Sequence, residues 1–134
     1  MPDKYSVQAS DNYRLAKSKP MIAPADGTYN LIHLPKYAFI KNIWVRKDDA
    51  YASASASMTV GFIGNGETAD PDAFLTNTEC DPDATGMATM RGGTGAEANG
   101  KWFDTARGAL TVTVDDSSAA AGNFQVFCEY CVLK

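Results

Sequence analysis

Six carboxylates crowd one stretch of the chain. In GFIGNGETADPDAFLTNTECDPDAT, residues 61–85, Glu67, Asp70, Asp72, Glu79, Asp81 and Asp83 stand among glycines and prolines. Such a cluster could hold calcium, which takes about six to eight oxygen ligands. The EF-hand loop needs D-x-[DN]-x-[DN]-G followed by a glutamate. DPDAFL and DPDATG do not match it, because each contains a proline and neither sets carboxylates at three alternate positions. A calcium loop of another pattern stays open for the acidic 67–83 segment. Glycosidase-like chemistry would instead need two carboxylates in a cleft, one raised in pKa by burial. In polar, turn-rich sequence most carboxylates are solvated. The reading adopted is the plainer one, in which aspartates before proline cap turns or a short helix. Phe74 and Leu75 then pin the segment to the body of the protein.

Other chemistry-bearing residues fare no better. CEYC, residues 128–131, has redox or zinc spacing but lies inside NFQVFCEYCVLK, which alternates as a strand does. Strand positions three apart point to opposite faces, so Cys128 and Cys131 diverge. The cysteine count of three is odd, which rules out a full disulfide framework and leaves buried free thiols. His33 is the single histidine and sits in strand-like sequence, with no G-x-S-x-G elsewhere to complete a serine triad. RGGTGAEANGK lacks the phosphate-loop spacing and leads into a strand, not a helix, so it reads as a mobile surface loop. Trp44, Trp102, Tyr37 and Tyr51 could build a stacking platform for sugars or single-stranded nucleic acid, although such residues more often serve a core or an interface. No catalytic, cofactor-binding or metal-binding residue is assigned, and no cofactor is expected.

These residues need a scaffold. A chain of 134 residues fits one domain with a self-sufficient core. No apolar run reaches the ~18 residues of a membrane span. The opening MPDKYSVQASDNYRLAKSKP lacks the apolar region of a secretory signal, so synthesis and folding in a cytoplasm are expected. Net charge is −4, which argues against a general nucleic-acid binder. The charge is unevenly spread: residues 1–47 are net +5 and residues 48–134 net −9. Basic and acidic parts of one chain can associate with copies of itself, or a basic arm can dock on an acidic neighbour.

Period-two alternation recurs along the chain. TYNLIHLP places Tyr29, Leu31 and His33 on one face and Asn30, Ile32 and Leu34 on the other. In AFIKNIWVRK, Phe39, Ile43 and Val45 share one parity, and Ile40 and Trp44 the other. ASASMTVGFIG sets Met58, Val60 and Phe62 together, and KWF begins a short strand. ALTVTVDD turns Leu110, Val112 and Val114 inward, and NFQVFCEYCVL does the same with Phe124, Val126, Cys128, Tyr130 and Val132. β-Branched and aromatic residues at period two mark half-buried strands. Helix signal is confined to DPDAFLTN, with an aspartate cap and a proline near the first turn. The fold class is therefore all-β: an antiparallel β-sandwich or jelly roll with one short helical turn. Residues 1–24 lack sustained periodicity and read as an extended N-terminal arm, leaving residues 25–134 as the sandwich domain. Tyr5, Tyr13 and Leu15 are too sparse for a core, so the arm is expected to dock on a neighbour and not on its own sandwich.

An ordered series of segments adds a resemblance. LPKYAFIKNIWVRKDDAY, MTVGFIGNG, DPDAFL, GKWFDTARGALTVTV and GNFQVFCEYCV, spread over residues 27–134, resemble small β-sandwich structural proteins of tailed bacteriophages. The resemblance implies a non-enzymatic virion protein, assembled in the host cytoplasm, that decorates or cements the capsid. Its implied partners are the major capsid protein or other virion proteins, with homo-oligomerisation, no specific nucleic acid and no membrane. A tail or head–tail accessory position is the alternative within that class. A carbohydrate-binding β-sandwich module using Trp44 or Trp102 is the alternative outside it.

Overall fold

The computed structural model describes residues 13–115 and 122–134. Along the chain run β1 (Arg14–Lys17), β2 (Met21–Ile22), β3 (Gly27–Leu34), β4 (Ala38–Asp49), β5 (Ser57–Gly64) and β6 (Glu67–Leu75). A single helical turn, α1 (Asn77–Cys80), leads to β7 (Gly86–Thr89), β8 (Lys101–Trp102), β9 (Gly108–Asp115) and β10 (Asn123–Val132). Two antiparallel sheets result. One has the order β1-β10-β4-β7, with β2 beside β10 and β8 beside β4; the other has the order β3-β9-β5-β6. The all-β sandwich expected from the alternation is the fold observed.

The core forms where the inward rows of both sheets meet. Met58, Val60 and Phe62 of β5, Leu110, Val112 and Val114 of β9, and Phe124, Val126 and Cys128 of β10 are buried in one cluster. The conflicting parities of β4 are resolved by a bulge. Glu129 pairs with Asn42 and Tyr130 with Ile40, so Lys41 has no opposite residue. One extra residue reverses the alternation. Ala38 and Ile40 before it, and Ile43 and Val45 after it, all enter the core. The Lys41 carbonyl accepts a hydrogen bond from Arg91 Nε at 2.8 Å.

The helical turn lies later than DPDAFLTN placed it. DPDAFL is the end of β6, and the cap is Thr76, whose hydroxyl accepts from the Thr78 amide while Glu79 reaches back to the Thr76 amide. Pro71 does not open a helix. Instead Asp70 pairs with Phe62 and Leu75 with Val60, and the residues between form a wide irregularity. Ala73, Phe74 and Leu75 are fully buried, so the anchoring role expected of Phe74 and Leu75 is met by a strand end. Gly61 makes this possible: a Cβ there would lie 1.9 Å from the Asp70 carbonyl oxygen.

The N-terminal segment also differs from expectation. Arg14–Lys17 is extended but pairs with Phe127–Tyr130 of β10, and Met21–Ile22 pairs with Asn123–Phe124. Ser18 joins the two pieces: its amide donates to the Val126 carbonyl at 2.8 Å and its hydroxyl accepts from the Val126 amide at 3.0 Å. From residue 14 onward the segment therefore folds back on its own sandwich. The sequence missed this because the edge strand is short and packs only Ala16 against the core. Residues 1–12 of the expected arm lie outside the described residues.

RGGTGAEANGK is more firmly held than a mobile loop. The Glu97 amide donates to the Ala73 carbonyl at 2.7 Å, the Thr94 amide to Glu79 at 3.0 Å, and Ala98 is buried.

Two substitutions test this packing. Gly61→Ala should destabilise the domain by about 2–4 kcal/mol, because the backbone of β6 must move away. An unchanged urea midpoint would disprove the close approach. Val126→Asp puts an unpaired charge at a site that is 0% exposed, and should abolish soluble, cooperatively unfolding protein.

Candidate interaction surface

The carboxylates of the acidic stretch are engaged singly or in neighbouring pairs. Glu67 accepts from Lys101 Nζ at 2.7 Å and from the Asn65 side-chain amide. Asn65 has a left-handed backbone, φ 58, at the centre of the Gly64–Asn65–Gly66 turn. Its side-chain oxygen accepts from the Thr105 and Ala106 amides at 2.8 and 3.0 Å. Lys101 is only 7% exposed, and its ammonium lies 4.3 Å from the Phe62 ring centroid and 5.7 Å from that of Phe103. One buried cation thus ties the β5–β6 turn to the start of β8.

Glu79 completes a capping box and accepts from Thr76 and Thr94. Burial pushes its pKa up, but those hydrogen bonds outweigh burial and hold it below the usual range. Asp70 and Asp72 share a hydrogen bond that raises Asp72. Asp81 and Asp83 share another, which lowers Asp81 and raises Asp83. Among the described residues no three His, Cys, Asp or Glu converge as metal ligands would.

Cys80, Cys128 and Cys131 are free and buried, as expected. Burial pushes the Cys80 and Cys128 thiols up to about 12, far from the thiolate a nucleophile requires. His33 is exposed on β3 and lines a shallow cleft of about 210 Å³ with Arg107, Ile63, Gly64, Gly108 and Ala109.

The aromatic residues proposed as a platform separate. Trp102 pairs with Phe39 at one end of β4 and donates from Nε1 to the Tyr37 carbonyl at 3.1 Å. Trp44 lies five positions further along, roughly 17 Å at strand rise. Tyr51 is buried, and its hydroxyl is pushed up to about 12 by burial and then by Tyr29 and Asp26.

What does assemble is an apolar strip on the outer face of the first sheet. The Lys41 bulge that sends Ile43 and Val45 inward sends Trp44 outward. Trp44 stands directly opposite Phe127 of β10, and Leu15 of β1 and Met87 of β7 flank them. These four line a groove of about 400 Å³ with Arg46 and Glu129. Arg46 lies 5.4 Å from the Phe127 ring centroid and pairs with Asp48 at 3.0 Å. Lys41 lies 4.5 Å from the Tyr13 ring centroid and 3.7 Å from Glu129. An apolar centre rimmed by charges suits a protein contact better than a small-molecule pocket. Sequence reading missed this strip because neither parity of β4 could be assigned to an outward face.

No protein-family model and no curated protein matches the chain. Its fold, however, is that of chains in two solved phage capsids. One belongs to the acidic stable capsid structure of Helicobacter pylori bacteriophage KHP30, with a TM-score of 0.66 at 19% identity, covering 90% of this chain and 87% of that one. The other belongs to the capsid asymmetric unit of cyanophage Pam1, with a TM-score of 0.65 at 13% identity, covering 99% of this chain and 98% of that one. The structural likeness to small phage proteins that the sequence suggested is present in the fold.

The Lys101 node gives a pH-dependent prediction. The Lys101 hydrogen bond first, and that of Asn65 second, hold Glu67 below the usual carboxylate range. A pKa lowered on folding contributes stability above the unfolded value of about 4.3, and that stability is lost as pH falls through the folded value. Glu67→Gln should therefore lower the unfolding free energy at neutral pH by about 1 kcal/mol or less for this half-exposed carboxylate, read as a lower Tm. The gap to the parent should close below about pH 4. A gap that persists unchanged in acid would refute the assignment.

Proposed function

We propose that the chain is a non-enzymatic structural subunit of a phage virion, placed on the head as a decoration or cement protein. The supporting observation is that the likeness to two phage capsid chains runs over nearly the whole length of each partner. It is a likeness between subunits of similar size, not of a sandwich inside a larger chain. The apolar strip on the first sheet agrees with such a role, because a surface subunit needs a face that a neighbour covers. Partners on this reading are the major capsid protein or other virion proteins, and further copies of the chain. Repetition by the symmetry of the head lets modest contacts sum to firm attachment. A tail or head–tail position would use the same rigid sandwich in fewer copies. A sugar-binding role for Trp44 or Trp102 is the reading outside that class.

Quantitative mass spectrometry of purified particles tests the proposal. The chain should be present in high copy relative to tail components. Low copy would move it to the tail or the head–tail joint. Its absence from particles would end the virion reading.

A further inference from the structure

We infer that the sandwich carries two complementary edges, and that the basic β1–β2 edge of one copy docks against the acidic β6–α1–β7 edge of a second copy. The charge asymmetry of the sequence becomes a spatial one in the fold. β1 ends the first sheet on one side, while β7 ends it on the other and β6 ends the second sheet. α1 bridges β6 to β7, so those two strands form one edge of the sandwich.

Residues 13–25 contain Arg14, Lys17 and Lys19 and no acid. All three cations are exposed and form no ion pair with a described residue. Residues 67–89 contain Glu67, Asp70, Asp72, Glu79, Asp81 and Asp83 and no Lys or Arg. Lys101 pairs with Glu67, and Lys47 Nζ is engaged at 2.8 Å by the Asp81 carbonyl. Asp70, Asp72 and Asp83 have no Lys or Arg within ion-pair distance among the described residues. Among the described residues each edge thus carries charge that no ion pair neutralises, and the signs are opposite.

Both edges also expose apolar side chains. Leu15 is 65% and Ile22 73% exposed on the basic side, and Met87 is 60% exposed on the acidic side. Leu15 and Met87 both line the groove on the outer face, so the apolar strip runs from one edge to the other. Lysines on an edge strand discourage backbone pairing with another strand. The contact is therefore made by side chains: apolar residues at its centre and opposed charges at its rim. Because the two surfaces differ, the contact is head-to-tail, and it closes into a ring or continues as an open chain according to its rotation.

This inference concerns the isolated protein and does not depend on the virion reading. Sedimentation velocity of the full chain tests it. In about 0.05 M salt the protein should associate with rising concentration, and about 0.5 M salt should weaken association roughly tenfold by screening the rim. A Lys17→Glu/Lys19→Glu variant and an Asp72→Lys/Asp83→Lys variant should each be at least about tenfold weaker in self-association at low salt. Circular dichroism would confirm that both remain folded. Mixed together they should associate again, because each then offers the edge the other lacks. A parent that stays monomeric at low salt would overturn the proposal. So would association unmoved by salt and by both variants, or a mixture that does not recover.

Discussion

The pairing of β4 with β10, interrupted at Lys41, is the constraint on which the rest of the structure depends. Every other strand of the first sheet attaches to one of these two: β1 and β2 to β10, β7 and β8 to β4. The bulge gives β4 two inward runs in place of one, so four apolar residues reach the core along a single strand. A uniform alternation would have buried either Ile40 with Trp44 or Ile43 with Val45, never Ile40 with Ile43. The same extra residue turns Trp44 to solvent beside Phe127. Core and surface strip are two results of one irregularity. Its free carbonyl is satisfied by Arg91, which fixes the start of the glycine-rich loop that follows β7.

A second irregularity does similar work in the other sheet. The break between Asp70 and Leu75 lets β6 press its backbone onto Gly61 and bury Phe74 against Phe62 at 6.1 Å between ring centroids. The strand leaves its partner and then rejoins it. The gap is closed by residues 93–98, where the Glu97 amide donates to the Ala73 carbonyl and the Thr94 amide to Glu79. The polar stretch that looked like a candidate site is thereby used as structure. Glu67 holds Lys101, and Glu79 holds α1 to Thr94. Carboxylates employed in this way secure loops to the sandwich and leave the outer face of the first sheet as the surface with unused apolar area.

The thiols and the histidine leave the outer surfaces as the distinctive features of this design. Its thiols are buried and its single histidine stands in a shallow cleft. The exposed apolar strip and the segregated edge charges are the features that the fold itself does not consume. Association through them would let several weak contacts act together.

Composition and period-two alternation by themselves determined the class of fold, the strands around Ile32, Met58, Val112 and Val126, and the burial of the three cysteines. The physical reason is local: a strand with one wet and one dry face must alternate, and the alternation survives in the sequence. The sequence also contained the opposed charges of its two parts. It could not say that segments 13–25 and 67–89 become opposite edges, because that depends on which strands pair across long separations. Nor could it place α1, since Pro71 and the aspartates around it suit a helix start and a bulged strand end equally well. Gly61 decided in favour of the strand by admitting a backbone where a side chain would stand. Arg14–Lys17 became a strand only because β10 offered it an unpaired edge. The apolar strip was hidden for the same reason as the bulge: whether Trp44 points in or out is settled by Lys41 lacking a partner on β10, and that absence exists only once the two strands have met.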